Sequence, residues 1–538
     1  MRVENFLTDT ARRLPDKIAL VADGVRMSYR ELDEASDRLA VRFAQEGIGP
    51  GDRVIIFMGN RLEAVVAIFA AQKAGAVFSP VNPSTKADKL AFILNNCEAK
   101  AVVSEAKLDA IAAEAITHAP SVGLAIRVGG KDNSIAPRTL SYEAALDTQG
   151  ALIGEPGINI DLSMLVYTSG STGMPKGVMM THLNVVTAAR AIITYLKKTE
   201  DDIVLSVLPI SFDYGLYQIL MAVSTGATLV LEKSFTFPYA ILERLAEERA
   251  TGFPLVPTMA AMLLKLDGIE PGAYPHLRFI TNTAAALPVA HIMALQKLFP
   301  TTEIYSMYGQ TECKRCTYLP PEQLKTRPGS VGIAIPGTQA FLVDETGARL
   351  PAGREGELVI RGAHVMKGYW NNPTATEKAL KPGPLPGENQ LHTGDLFRTD
   401  DEGFLYFVGR KDDIIKSRGE KVAPKEVEAV LHEIPEINEA VVLGRPDPVL
   451  GEAVHAIIVP KGDAKPDERQ LLRYCRQRLE DFAVPASFEF RAELPKTANG
   501  KVDRKLLTEM LRAEAEAEAE AAHETKQDKT AAMPEMNR

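Results

Sequence analysis

Four short stretches of the chain hold residue types that can do chemistry. In LVYTSGSTGMPKGVMMTHLN, residues 165–184, an apolar strand (Met164 to Tyr167) runs into a loop of Thr168, Ser169, Gly170, Ser171, Thr172 and Gly173. Side chains this small let backbone N–H groups crowd around an anion, so the loop suits a phosphate. It is not a Walker A loop, which needs Gly-Lys-Ser/Thr in succession, because Lys176 stands between Pro175 and Gly177. YGQTE (308–312) places an aromatic face, a hydroxyl and a carboxylate together, HTGDL (392–396) holds an acid in a turn, and NGKVDR (499–504) sets Lys501 behind an Asn-Gly turn. Cys313 and Cys316 follow Glu312 directly. A structural zinc needs four ligands and no second cysteine pair exists, so these read as two thiols, buried or at a pocket edge. His182 reads as a capping or packing residue.

The elements that must position these stretches alternate in type. RVIIFMG (53–59) precedes a helical NRLEAVVAIFAAQKAG (60–75), AVVSEA (101–106) precedes LDAIAAEAI (108–116), and ATLVLEK (227–233) precedes PYAILERLAEE (238–248). Strands separated by crossover helices imply a parallel α/β body. From about Gly332 to residue 410 the pattern turns to short strands with ETG, EGE and DEG as turn sites, a β-rich subdomain of that body. A charged stretch around 410–412 links the large body (1–410) to a compact α+β unit of about 100 residues (412–511). The fold class is therefore α/β, a large N-terminal body with a smaller, mobile α+β C-terminal domain. The tail 512–538, rich in Ala and Glu, reads as a frayed helix and then disorder.

Composition narrows the function classes. The 538 residues are 46% hydrophobic and 24% charged, as in soluble globular proteins. Lys and Arg number 61 against 70 Asp and Glu, a formal charge of −9, which argues against nucleic acid as a partner. Four cysteines make no disulfide framework, the N-terminus lacks a secretory apolar centre, and the most apolar stretch (65–81) is broken by Gln72, Lys73 and Gly75. A cytoplasmic protein without a membrane span is expected.

TSGSTGMPKG resembles the phosphate signature of the adenylate-forming superfamily: acyl-CoA and aryl-CoA synthetases, peptide-synthetase adenylation domains and beetle luciferases. The likeness recurs in order from MSYREL (27–32) to PKTANGKVDRKLL (495–507). It implies two half-reactions. A carboxylate attacks the α-phosphorus of ATP to give an acyl-adenylate and pyrophosphate, and a thiol, that of coenzyme A, then displaces AMP. By the same resemblance, Thr168 and its loop with Lys176 take phosphate. Tyr308 and Gly309 lie against adenine, Thr311 offers a hydroxyl to phosphate, and Glu312 holds Mg²⁺. Asp395 accepts the ribose hydroxyls, Arg410 reaches ribose or phosphate, and Lys501 bridges the attacking carboxylate and the α-phosphate. The catalytic set so implied is Lys501, Glu312 and Thr168. Asp412 corresponds to the hinge, and the segment with Ser417, Arg418, Gly419 and Lys421 to the part that swings in for the thiol step.

The resemblance also marks an acid pocket built from 208–216, 256–263 and 281–288, with Phe212, Asp213, Thr283, Ala284 and Ala285. Phe212 stands where simple acyl and aryl synthetases often carry histidine. Phe-Asp here is similar to amino-acid-activating domains, whose aspartate pairs with the substrate ammonium. A carboxylate beside an apolar pocket needs a partner, either a substrate amine or an internal Lys or Arg. Gly215 departs from the amino-acid pattern, which has serine two residues after the aspartate. The leading expectation is thus an AMP-forming acyl-CoA ligase for a small-molecule carboxylic acid. The alternative is amino-acid activation onto the thiol of a separate carrier protein. Nothing demands oxygen chemistry, and the intact motifs argue against a binding protein without catalysis.

Overall fold

The structure is a computed structural model. It describes residues 1–130, 134–152, 157–169, 175–283, 287–411, 413–417, 420–447, 451–497 and 501–514, and of Ser169, Lys416, Glu420, Lys421 and Gly451 the backbone alone. The chain forms two compact units. The large one comprises Met1–Thr393 with Thr399–Tyr406, and the small one Gly394–Arg398 with the chain from Phe407 onward.

Two sheets dominate the large unit. One has parallel strands Val77–Val81, Arg53–Phe57, Ala101–Glu105 and Leu124–Val128 at its centre. The strand Leu162–Ser169 joins it parallel to Val77–Val81 and then pairs antiparallel with Pro175–Thr181. Thr168 and Ser169, expected in the loop, therefore still belong to the strand, with Thr168 opposite Lys176. The apolar stretch from Val65 is not a span. It lies in the helix Leu62–Lys73, buried from Ala64 to Gln72, where the interrupting Gln72 is satisfied: its amide donates to Ser163 O at 2.8 Å and accepts from Ser163 Oγ at 2.7 Å. These two bonds anchor the start of the strand Leu162–Ser169. Among the described residues no helix is long and apolar enough to cross a membrane.

The second sheet is parallel through Thr228–Leu231, Ile203–Ser206, Gly252–Leu255, Phe279–Asn282 and Glu303–Tyr308. Its last parallel strand delivers Tyr308 at its C-terminal end, and the chain returns antiparallel as Thr317–Tyr318. The helix Asp213–Thr225 follows Ile203–Ser206 and is buried along its length. Beyond residue 332, ETG and DEG do form turns, at Asp344–Gly347 and Asp400–Gly403. EGE does not. It lies inside the strand Glu355–Arg361, opposite Gln339–Val343, because a side chain at Gly356 would meet Val343 O at 2.4 Å. This glycine serves strand approach and not a turn.

The small unit packs the helices Pro424–His432 and Glu468–Arg476 on antiparallel strands Ile437–Asp447 and Gly451–Pro460, around Val427, Leu431, Val442, Ile458 and Leu471. The expected loop at 417–421 is framed by two paired short strands, Ile415–Ser417 and Glu420–Val422. The final helix continues through residue 514, and 515–538 lie outside the described residues.

His182 opens the helix that follows Pro175–Thr181, is 1% exposed, and accepts the Val3 backbone N–H on Nδ1 at 3.0 Å. Burial first, then the Arg2 guanidinium, pushes its pKa down to about 3, and burial pushes His364 down to about 4. Both are neutral in the fold and take up a proton on unfolding below about pH 6.5, so stability is complete above that pH and falls as acid is added. Unfolding at pH 5 should show about 2 kcal/mol lost per histidine relative to pH 7. A His182→Gln chain should show a flatter slope between those pH values, and an unchanged slope would refute the assignment.

Candidate active site

The stem of the phosphate loop and the YGQTE segment meet on one aromatic ring that the sequence reading missed. Tyr369, in the edge strand Gly368–Tyr369, pairs with Val178 beside the loop stem. Lys176 Nζ lies 5.5 Å from the centre of its ring, and its hydroxyl donates to Glu312 Oε1 at 2.7 Å. Met366 N–H also donates to Glu312 O at 2.8 Å, and Trp370 N–H to Gly177 O at 2.7 Å. Residues 366–370 thus fix a cation and a carboxylate relative to each other. The signal available beforehand was the Gly-Tyr-Trp run in a region otherwise read only for strands.

Glu312 is half-buried, with one oxygen held by Tyr369. Its other oxygen is a hard donor of the kind Mg²⁺ takes, so the residues present fit that ion. Gln310 braces the neighbouring aromatic: its amide donates to the Tyr308 hydroxyl at 3.0 Å and to Thr393 O at 2.9 Å. Tyr308, Gly309 and Thr311 are each partly exposed. Gly170, Ser171, Thr172 and Gly173 lie outside the described residues, as does the side chain of Ser169.

Phe212 precedes the helix Asp213–Thr225 and meets Tyr214 edge-on with ring centres 6.2 Å apart. Asp213 is buried, and its cationic neighbours are internal. Arg315 Nη1 lies 4.0 Å from Asp213 Oδ2 and the guanidinium sits 4.3 Å over the Tyr214 ring. Lys314 feels the same carboxylate, and burial lowers its pKa. A serine at Gly215 has no room: its Cβ would stand 2.3 Å from Pro209 O and 2.7 Å from Leu208 O. Thr283 is buried directly after the strand Phe279–Asn282, and Ala284 and Ala285 lie outside the described residues. Cys313 and Cys316 are both buried free thiols with Sγ atoms 2.8 Å apart, and burial raises Cys313 well above the usual thiol range. Such thiols are poor nucleophiles.

In the small unit, Asp395 is buried and the Arg410 guanidinium lies 3.3 Å from its Oδ1. Lys501 is exposed, and its carbonyl accepts from Thr497 N–H at 2.7 Å. Ser417 is buried at the end of its short strand. Asp412, Arg418, Gly419 and the Lys421 side chain lie outside what is described.

The chain matches the AMP-binding enzyme family over residues 7–370, and the AMP-binding enzyme C-terminal domain over residues 426–501. It belongs to the AMP-binding enzyme family. It is 32% identical to a probable CoA ligase, CCL9, of Humulus lupulus, over 94% of this chain and 95% of that one. It is also 32% identical to a long-chain-fatty-acid–CoA ligase of Bacillus subtilis (strain 168), over 94% of each. The crystal structure of the anthranilate CoA ligase AuaEII in complex with anthranoyl-AMP superposes with a TM-score of 0.87 at 25% identity, covering 95% of this chain and 97% of that one. The chain is an AMP-forming acyl-CoA ligase, an acid–thiol ligase of mixed α/β fold with a large N-terminal body and a small C-terminal domain.

Proposed function

We propose that this acyl-CoA ligase activates an acid without an α-amino group, of acyl or aryl type, and transfers it to the thiol of coenzyme A. The observation that carries this reading is the neighbourhood of Asp213. In an amino-acid-activating pocket this carboxylate answers a substrate ammonium, whereas here it already has the Arg315 guanidinium at 4.0 Å and Lys314 within its field. A third cation would enter a site with excess positive charge, so the carrier-protein alternative loses its chemical motive.

In this reading the domains divide as 1–410 and 412–511, with 512–538 a tail, and the reaction takes place in the cytoplasm, where four free thiols persist. Thr168, Ser169, Gly170, Ser171, Thr172, Gly173, Lys176 and Thr311 hold the ATP phosphates, and Tyr308 and Gly309 the adenine side. Glu312 holds Mg²⁺, which when bound neutralises charge on the phosphate oxygens. Asp395 and Arg410 take the ribose. Lys501 faces the attacking carboxylate and the α-phosphate, and must leave before a thiol can approach the adenylate. Asp412 is the hinge for that exchange, and Ser417, Arg418, Gly419 and Lys421 serve the thiol step.

ATP–pyrophosphate exchange across fatty, aryl and amino acids, followed by CoA-dependent release of AMP, tests the reading. Exchange is expected with acids lacking the amine and is completed by coenzyme A. Exchange confined to amino acids would sink it and return the carrier-protein alternative.

A further inference from the structure

Two cations lie deep in the large unit without the hydrogen bonds that buried cations normally make. Lys314 is 0% exposed and its Nζ has no hydrogen-bond partner, while Arg315 is 2% exposed with its Nε unsatisfied. The Tyr217 hydroxyl beside them is also buried and unbonded. Natural proteins leave few such groups, because a desolvated ammonium or guanidinium without an acceptor is strongly unfavourable. Among the described residues, internal carboxylates balance the charge of the pair but leave its hydrogen-bond donors unmet. Asp213 approaches Arg315 at 4.0 Å, and Glu312, the other carboxylate in the field of Lys314, already accepts from Tyr369.

The position of the pair matters as much as its charge. Lys314 and Arg315 follow Glu312 by two and three residues, and they lie over the rings of Tyr217 (5.5 Å) and Tyr214 (4.3 Å). Both tyrosines stand on the helix that begins at Asp213. The Tyr214 hydroxyl in turn lies 2.8 Å from Thr281 O and 2.6 Å from Thr281 Oγ1, on the strand that leads to Thr283. The cations are therefore tied to two of the segments that wall the acid pocket. Their backbone is held as well: Cys316 N–H donates to Tyr308 O at 2.9 Å, and Lys314 keeps φ at +61°, a left-handed conformation unfavourable for a side-chain-bearing residue.

We propose that Lys314 and Arg315 form a subsite for a second carboxylate on the substrate, so that the enzyme prefers dicarboxylic acids. The proposal rests on the adenylation reading above and adds the substrate class. The reacting carboxylate must reach the α-phosphorus of ATP, so the group that meets the buried cations is the remote one. Lys314 supplies up to three donors and Arg315 its unsatisfied Nε–H, with the Tyr217 hydroxyl alongside, and the roughly four lone-pair sites of a carboxylate can be filled from these. A substrate lacking the second carboxylate leaves them unpaired, which is the condition under which polar pockets discriminate most strongly.

The test is ATP–pyrophosphate exchange by the full-length protein with matched acids: butyrate and succinate, pentanoate and glutarate, hexanoate and adipate, benzoate and isophthalate. In at least one pair the dicarboxylate should exceed its partner by about 10-fold or more in kcat/KM, and Lys314→Met should reduce that ratio by about 10-fold or more. The ratio cancels a general loss of active protein, and Lys314→Arg, which keeps the charge, should retain the preference. A wild type that prefers the monocarboxylate in every pair, or a ratio unmoved by Lys314→Met, overturns the proposal. If no acid supports exchange, the adenylation reading falls, and thermal melting with each acid alone then decides the subsite. A rise in melting temperature with a dicarboxylate only, lost in Lys314→Met, upholds it, and no such rise overturns it.

Discussion

Replacing Lys501 by Ala should lower ATP–pyrophosphate exchange by roughly 10²–10³-fold while leaving thioester formation from preformed acyl-adenylate within a few-fold of the wild type. The asymmetry follows from where charge develops. When the carboxylate attacks the α-phosphorus, negative charge grows on oxygens that an ammonium can meet, and a donor matched to that charge is worth about 2.7–4 kcal/mol. In the second half-reaction the same ammonium has no such partner and has to withdraw. The structure supports the premise that this residue is accessible: Lys501 is exposed, with its carbonyl held by the Thr497 N–H. Lys501→Arg should recover part of the exchange, because the charge remains but its planar fork fits a single point contact poorly. Loss of both half-reactions in equal measure would show that Lys501 supports the small unit and takes no part in adenylation.

What was legible in the sequence divides along the range of the forces involved. The alternation of strands and helices follows from local periodicity, whereas the loop expected at 168–173 begins inside the strand Leu162–Ser169 and otherwise lies outside the described residues. Gln72 looked like a break in an apolar run, because its partner Ser163 lies far along the chain and sits beside it only after the sheet has assembled. Tyr369 escaped notice for a similar reason. Its link to Glu312 and Lys176 runs through an edge strand of two residues, too short for periodicity to register. EGE reads as a turn by composition, yet the requirement at Gly356 comes from a neighbouring strand's carbonyl. Lys314 and Arg315 give no sign of their role in the sequence, since charged residues are rarely buried. Nothing local announces their burial. It depends on the helix Asp213–Thr225 and on the carboxylate at its first position.

Asp213→Ala should therefore be a folding defect before it is a specificity defect. A substrate-binding aspartate, removed, would abolish one class of substrate and spare the rest, and the protein would remain as stable as before. In this fold Asp213 is the nearer carboxylate for two buried cations, and removing one partner of a buried pair costs about 3–5 kcal/mol because the remaining charge stays desolvated. Denaturant unfolding should show a loss of that order in Asp213→Ala. The double substitution Asp213→Ala with Arg315→Met should then recover a substantial part, since the uncompensated guanidinium goes with the carboxylate and the two changes are too close to add independently. A dicarboxylic acid should also rescue the single variant more than its monocarboxylic partner does, because its second carboxylate supplies charge where Asp213 did. A loss below about 1 kcal/mol in Asp213→Ala, typical of an exposed pair, would mean that Arg315 and Lys314 are neutralised by something other than Asp213. It would also remove the argument that this aspartate is unavailable to a substrate amine.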